Sequence, residues 1–335
     1  MSRVAQEVPG RPSAFFVDHG AVAWFEGPKL RTLLGGFLTF VPGDDLVALP
    51  DGPIAALGPA LFAWAARDQV FYRTPRGIAA EALPTYVLAP GTPTFPPPPP
   101  GPPFPCSATG IALPSESEVV VVGVCGDGPA HGGAPREGFI VERDRERWRR
   151  LPDRPPPLRA LAGDGRTVVA VGDDGTVMWR RSGVWTREPT RREGPAFVGV
   201  ALLEGRAIAR TREGDLVDLA RPTSPLPTFG EPRPSTTSLT KRRARAMCLT
   251  TRGPVAWFER DTFVDSGAAR LLDRVAIWET DRWRVVFSGE PQGTTVEQLA
   301  CDGDTIWLVT SAPQKPLAVL TLSASQPGRP ATVVW

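Results

Sequence analysis

The sequence predicts an all-β protein, and three observations carry that prediction. A short apolar run bearing a tryptophan returns along the chain, a run of small residues precedes each return, and turn residues punctuate almost every window. Gly20-Ala-Val-Ala-Trp-Phe-Glu26 recurs as Gly253-Pro-Val-Ala-Trp-Phe-Glu259, identical at six of seven positions. Related runs stand at Leu61-Phe-Ala-Trp64 and Thr305-Ile-Trp-Leu-Val309. A unit of about 48 residues accommodates all four, and four short strands at such a period are the signature of a β-propeller, whose blades must stack because none buries both faces alone. Seven units fill the 335 residues. The expected architecture is therefore a single seven-bladed β-propeller, or a six-bladed one if 13–41 and 53–86 merge.

The blades are expected at about 13–50, 53–92, 106–155, 157–192, 196–240, 245–290 and 295–335. In the first, the small-residue run Ser13–Val17 precedes the Trp24 run, and in the second Pro53–Leu57 precedes Trp64. Residues 93–105, with Pro96–Pro100, read as a stiff polyproline II connector that packs Phe95 and Phe104 on the propeller. Cys106–Ile111 and Val119–Gly123 open the third blade. The fourth reads most cleanly: Leu158–Ala162, Thr167–Val171, Thr176–Arg180 and Val184–Arg187 are separated by Gly163-Asp-Gly165, Asp173-Asp-Gly175 and Arg181-Ser-Gly183. Asp-Gly and Ser-Gly steps close hairpins because glycine supplies positive φ without steric cost.

Phe197–Ala201 and Gly205–Arg210 begin the fifth blade, and the Ser/Thr/Pro-rich stretch 222–240 is expected as a long mobile loop. Ala246–Thr250 and the second copy of the repeat form the sixth; Val296–Cys301 and Thr305–Val309 the seventh. Ala331–Trp335 either completes the last blade or pairs with Ser2–Val8. With 39 prolines and 34 glycines in the chain, helices find little room, and only Leu30–Leu34 and Ala79–Ala82 are candidates for single helical turns.

Val168-Val-Ala-Val-Gly-Asp-Asp-Gly-Thr-Val-Met-Trp179, followed by Gly183-Val-Trp-Thr186, resembles the repeats of bacterial sialidase-like (BNR) and photosystem-assembly-factor propellers. Asp173 and Gly175 fit their Ser/Thr-x-Asp-x-Gly-x-x-Trp box, whereas Gly-Val stands where Ser/Thr is expected and Trp179 comes one residue late. Gly132-Gly133, Phe139-Ile-Val-Glu142, Trp148 and Leu151-Pro-Asp153 resemble one kelch repeat. The resemblance implies a blade architecture and transfers no active-site residue, since propellers host unrelated functions.

Thirty-eight basic and 36 acidic side chains leave a formal charge of +2, which disfavours a dedicated nucleic-acid binder. Arginine far outnumbers lysine, present only at Lys29, Lys241 and Lys315, a usage expected of a GC-rich bacterial coding sequence. Met1–Gly20 lacks a basic segment followed by an apolar stretch, and no apolar run is long enough to cross a bilayer, so the expectation is a cytoplasmic protein without membrane contact. Cys106, Cys125, Cys248 and Cys301 lie far apart in apolar strand contexts and read as free, buried small hydrophobes.

Catalytic signals are sparse. His19 and His131 are the only histidines, both beside glycine in turns, and no Cys/His pair has zinc spacing. Asp173 and Asp174 read as turn formers, as do Asp302 and Asp304 around Gly303. A sialidase-type site would need a tyrosine nucleophile beside axial arginines, and only Tyr72 and Tyr86 exist. No catalytic residue, metal or cofactor is assigned. Trp24, Trp64, Trp257 and Trp307 are expected to recur at one strand position, and they and Trp179 are expected to pack between blades.

Two basic stretches are candidate partner contacts. Arg147, Arg149 and Arg150 lie where acids interleave, consistent with a charged edge hairpin. Lys241, Arg242, Arg243 and Arg245 are uncancelled. The expected function is a non-catalytic interaction module, or scaffold subunit, of a bacterial multiprotein complex, binding one or more proteins through propeller faces and long loops. The alternative is a carbohydrate-active or lyase-like propeller with an axial pocket.

Overall fold

The computed structural model describes residues 15–18, 21–26, 29–34, 37–40, 54–57, 61–66, 69–74, 77–83, 106–115, 117–126, 137–144, 147–165, 167–188, 194–220, 225–227, 229–233, 236–241, 243–265, 268–289, 294–312, 315–325 and 332–333. Through residue 62, at 64, 66, 73–74, 77–78, 312, 315–317 and 332–333, and over 230–241 and 259–272, it describes backbone alone. These residues are almost entirely strand, arranged as successive antiparallel sheets in simple up-and-down order.

The first sheet holds β1 (Phe15–Asp18), β2 (Ala21–Glu26), β3 (Lys29–Leu34) and β4 (Phe37–Phe40), and the second β5 (Ile54–Leu57), β6 (Leu61–Ala66), β7 (Gln69–Thr74) and β8 (Gly77–Ala82). The third holds β9 (Cys106–Ser115), β10 (Glu118–Cys125), β11 (Glu137–Asp144) and β12 (Arg147–Arg150). The fourth holds β13 (Leu158–Asp164), β14 (Thr167–Gly172), β15 (Val177–Arg181) and β16 (Val184–Arg187). The fifth has three strands, β17 (Phe197–Leu203), β18 (Arg206–Thr211) and β19 (Leu216–Asp218), and an isolated bridge from Val217 to Pro225 lies beyond them. After a two-stranded hairpin, β20 (Gly230–Arg233) with β21 (Thr236–Lys241), the sixth sheet holds β22 (Ala244–Thr250), β23 (Gly253–Asp265), β24 (Ala268–Glu279) and β25 (Arg282–Ser288). The seventh holds β26 (Thr295–Asp302), β27 (Thr305–Ala312), β28 (Lys315–Ser323) and β29 (Thr332–Val333).

The chain divides into two compact units, Ala48–Val198 and the combination of Met1–Val47 with Gly199–Trp335. In the first, β5 lies against β9 and β9 against β13; in the second, β22 lies against β26 and β26 against β1. First strands of consecutive sheets are thus neighbours, which suits their small residues.

Strand alternation explains how one sheet serves two neighbours. In the third sheet Ile111, Val119, Val121, Phe139 and Val141 pack with Ala63, Val70, Tyr72 and Leu83 of the second. The intervening Val120, Val122 and Ile140 pack with Leu158, Ala170 and Met178 of the fourth. Because successive side chains leave opposite faces and both faces are covered, the strand reads as an unbroken run, Val119 to Val122, rather than an alternating one. The sixth sheet repeats the device. Val255, Trp257, Val275 and Ile277 face Ile306 and Leu308 of the seventh, while Ala256, Phe258 and Ala276 join Ile208 and Leu216 of the fifth.

Four expectations are corrected. Leu30–Leu34 and Ala79–Ala82 are not helical turns but parts of β3 and β8, because pairing within their sheets overrides the helix preference of leucine and alanine. The stretch 222–240 is not one long loop, since Gly230–Arg233 pairs with the threonine-rich run from Thr236. The cysteines are not free. Cys106 stands opposite Cys125 across β9 and β10, and Cys248 faces Cys301 across the neighbouring first strands β22 and β26; both pairs form disulfides. Their separations of 19 and 53 residues conceal this proximity. Finally, Trp307 does not share the strand position of Trp257: Trp257 pairs with Ala246, four residues after β23 begins, whereas Trp307 pairs with Ala300 two residues into β27. Of the two open endings, Thr332–Val333 pairs with β28 and so completes the last sheet. Among the described residues no helix is long and apolar enough to cross a membrane.

Candidate partner-binding surface

A concave surface of about 840 Å³ opens on the third and fourth sheets, bordered by Glu118, Glu142, Arg147, Trp148, Arg149 and Arg180 among others. Its floor is an ionic cluster. Glu142, on β11 and only 5% exposed, accepts hydrogen bonds from Arg149 Nη2 at 2.7 Å, Arg180 Nε at 2.7 Å and Trp185 Nε1 at 2.7 Å. Arg180 also donates to Glu118 at 3.0 Å.

The same clasp joins the second sheet to the third. Glu81 on β8 accepts from Arg143 Nε at 2.8 Å, Arg143 Nη2 at 2.6 Å and Trp148 Nε1 at 2.7 Å. The Arg143 guanidinium also lies 5.0 Å from the centre of the Tyr72 ring. In each case the arginine and the tryptophan face each other across the last hairpin of a sheet, Arg143 opposite Trp148 and Arg180 opposite Trp185. Trp278 and Trp283 hold the same register in the sixth sheet, where Trp283 Nε1 donates to the Pro227 carbonyl at 2.7 Å. The recurring spacing, an arginine or tryptophan five residues before a tryptophan, was present in the sequence and is the signal that could have found the clasp.

Burial opposes the charge on Glu142, but hydrogen bonds from Arg149 and Trp185 and the charge of Arg180 outweigh it and hold the carboxyl below its ordinary range. Glu81 behaves alike: burial works against the carboxylate, and Arg143 and Trp148 more than compensate. Burial, then the Glu81 charge, pushes the Tyr72 phenol far above its ordinary value. At neutral pH these carboxylates are ionised acceptors rather than acids poised to titrate.

A second repeated feature lies on the first strands. The register slips by one residue near the head of β9, β13, β22 and β26, leaving Thr109, Arg159, Arg245 and Glu297 as bulged residues. A bulge frees its side chain from strict alternation and re-aims it. Thr109 Oγ1 donates to the Leu158 carbonyl at 2.7 Å, and Arg159 makes a two-pronged pair with Asp173 at 3.0 and 2.6 Å. Asp173 lies in the tight turn with Asp174 and Gly175, both left-handed at φ 56° and 65°. Glu297 accepts from Ser311 Oγ at 2.6 Å, and Arg245 lies over the Trp257 ring at 5.9 Å.

Arg147 and Arg149 border the concave surface and are exposed, while Arg150 lies half-buried on the same edge strand. Arg243 and Arg245 are exposed on the other unit. Lys241 ends β21, its side chain outside the described residues, as is Arg242. Trp179 is buried with its Nε1 donating to Glu188 at 2.6 Å, and Trp257 and Trp307 are each 9% exposed. Trp24 and Trp64 have described backbones only, and His19, His131, Tyr86 and the connector 93–105 lie outside the described residues. Asp302 and Asp304 flank Gly303, at φ 55°, in the hairpin between β26 and β27.

The chain is thus an all-β protein of repeated up-and-down sheets, with Glu–Arg–Trp clasps from the second sheet to the third and from the third to the fourth. Its fold is shared with solved structures at low identity. A puromycin-hydrolysing peptidase of Mycobacterium tuberculosis aligns with a TM-score of 0.57 and 15% identity, over 97% of this chain and 53% of that one. Puromycin hydrolase aligns at 0.54 and 16%, over 97% and 53%. The chain spans about half the length of these peptidases. A structure of YCF48 bound to D1 peptide aligns at 0.47 and 14% identity, over 84% of this chain and 79% of that one. No protein-family model and no curated protein matches the chain.

Proposed function

We propose that this chain is a non-catalytic protein-binding module whose seven sheets close as the blades of a β-propeller, and that Arg147, Arg149 and Arg150 form part of its docking edge. Six four-stranded sheets and a three-stranded one support the blade number, and β1 lying against β26 supports closure. The observation that carries the binding reading is the state of the concave surface. Its buried carboxylate is saturated by three donors and held ionised, so it offers no general acid at neutral pH. Tyr72 makes only a long 3.5 Å bond to Glu81, and burial pushes its phenol upward, the reverse of what a tyrosine nucleophile needs. Exposed arginines on a rigid edge strand instead supply directional donors at little ordering cost.

The two disulfides redirect the compartment. Such cross-links persist in oxidising surroundings and are rare in a reducing cytoplasm, so we place the working protein outside the cytoplasm, where its partner must also reside.

The test is affinity capture with the oxidised wild type and an Arg147→Glu/Arg149→Glu variant of matched thermal stability. A protein retained stoichiometrically by the wild type and lost with the variant supports the proposal. Recovery of the wild type alone, together with turnover of a glycan or peptide substrate, overturns it.

A further inference from the structure

β16 ends the fourth sheet, and no described strand pairs with its outer side. The ladder fixes where each of its backbone groups points. Glu188 N–H donates to the Val177 carbonyl, and bonded pairs in an antiparallel ladder recur every second residue. In this register the bonded pairs are therefore Thr186 with Trp179 and Val184 with Arg181. Val184 and Thr186 direct their N–H and C=O groups to β15, whereas those of Trp185 and Arg187 point outward and have no partner among the described residues.

Outer strands are normally guarded against pairing by proline, bulges or charge. Among those whose side chains are all described, β19 is bridged by Pro225, β25 carries a bulged Val286, and β12 is arginine at three of its four residues. β16 pairs with β15 in unbroken register, holds the β-favouring Val184, Trp185 and Thr186, and bears one charge, at Arg187. Val184 is 65% exposed, more than any other large apolar side chain described.

The uncommitted charge on this hairpin has one sign. Arg187 is exposed on the face that carries Trp185, and Arg181 is exposed on the face that carries Val184, over the Trp179 ring at 4.6 Å. Arg180 is satisfied by Glu142 and Glu118, and Glu188 accepts from Trp179 Nε1. Across the concave surface Glu118 and Asp144 add acidic charge, which the exposed Arg147 and Arg149 balance. Trp185 and Arg149 both donate to Glu142, so this edge adjoins the docking residues proposed above.

We infer that β16 accepts an extended acidic segment of the protein partner as a fifth strand of the fourth sheet, with main-chain bonds at Trp185 and Arg187. This rests on the binding reading above and names the partner's chemistry. Arg187 and Val184 lie on opposite faces, so the segment alternates acidic residues, set beside Arg187, with apolar ones set beside Val184.

The experiment adds three peptides separately to the oxidised full chain: alternating valine and glutamate, the same peptide N-methylated at its glutamates, and alternating valine and lysine. Calorimetry reads affinity and amide hydrogen exchange reads the strand. Expected is saturable binding of the first peptide that slows exchange at Trp185 and Arg187 and leaves Val184 and Thr186, already held by β15, unchanged. Binding should weaken about tenfold in Arg187→Pro, which removes the charge and an N–H that β15 does not use, and about tenfold for the N-methylated peptide. The N-methylated peptide keeps the test valid should Arg187→Pro fail to fold. Undiminished binding in either overturns the strand addition, and equal affinity for the valine–lysine peptide overturns the acidic chemistry. No binding of the valine–glutamate peptide overturns the site. If the site fails while wild-type capture of a partner persists and is lost in Arg147→Glu/Arg149→Glu, the docking edge stands and only the strand addition falls.

Discussion

Replacing Glu142 by glutamine keeps the shape of the side chain but leaves one amide oxygen for three donors and turns an NH2 group toward arginine. Arg149 contributes little to the loss, because its side chain is 68% exposed and such pairs are worth about 0.2–1 kcal/mol. Arg180 decides the magnitude: its side chain is 8% exposed, facing a carboxylate that is 7% exposed. Removing one partner of a buried pair costs about 3–5 kcal/mol. Arg180 retains Glu118 at 3.0 Å, a carboxylate 32% exposed, so the lower end applies and we expect about 3 kcal/mol. Urea unfolding of oxidised protein measures this, and hydrogen exchange of β11, β15 and β16 localises it. Arg149→Ala should cost under about 1 kcal/mol. Joining Glu142→Leu to Arg180→Met should recover most of the loss, because an apolar pair replaces a desolvated ionic one. A loss under about 1 kcal/mol in Glu142→Gln, or an equal loss in Arg149→Ala, would refute the claim that this clasp holds adjacent sheets together.

Acid should loosen the clasps. The folded-state pKa values of Glu81 and Glu142 lie below the ordinary 4.5, so their contribution is fully present above that pH and disappears as pH falls through the depressed values. Urea midpoints measured from pH 7 downward should drop more steeply below about pH 4.5 in the wild type than in Glu81→Gln/Glu142→Gln. The disulfides predict a reducing-agent effect. Loop-closure entropy assigns about 3 kcal/mol to the Cys106–Cys125 link and about 4 kcal/mol to Cys248–Cys301, so paired alanine variants should show losses in that order. Iodoacetamide should add nothing to the denatured chain before reduction; labelling of all four cysteines would sink both the links and the compartment inferred from them. Gly123→Ala should destabilise the third sheet by about 1–3 kcal/mol in thermal unfolding, since the new Cβ would overlap the Ser107 carbonyl and lie 2.5 Å from the Phe139 ring.

Local chemistry made the all-β class legible. In the fourth sheet the glycine-bearing turns were read from sequence and the strands followed, β13 at Leu158–Asp164, β14 at Thr167–Gly172, β15 at Val177–Arg181 and β16 at Val184–Arg187. Each boundary is fixed within a few residues of the turn that makes it, so a window of sequence contains its cause. Where propensity and pairing disagree, as at Gly77–Ala82 with its alanines, the window contains only half the cause. The neighbouring strand supplies the other half.

The candidate site was hidden for the same reason, carried further. Glu81 meets Arg143 across 62 residues and Glu142 meets Arg180 across 38, so no local count of charges can tell a solvated edge from an inter-sheet clasp. In the run from Glu142 to Arg150 the charges nearly cancel on paper, yet they are not partners of one another alone. Arg143 turns back to the second sheet while Glu142 reaches forward to the fourth, as strand alternation requires of adjacent residues on a doubly covered sheet. The same alternation that divides Val119 to Val122 between two apolar interfaces therefore divides the ionic residues between two clasps. Arg147 is left outside both, exposed and bordering the concave surface, which is the accessibility that the proposed docking edge requires.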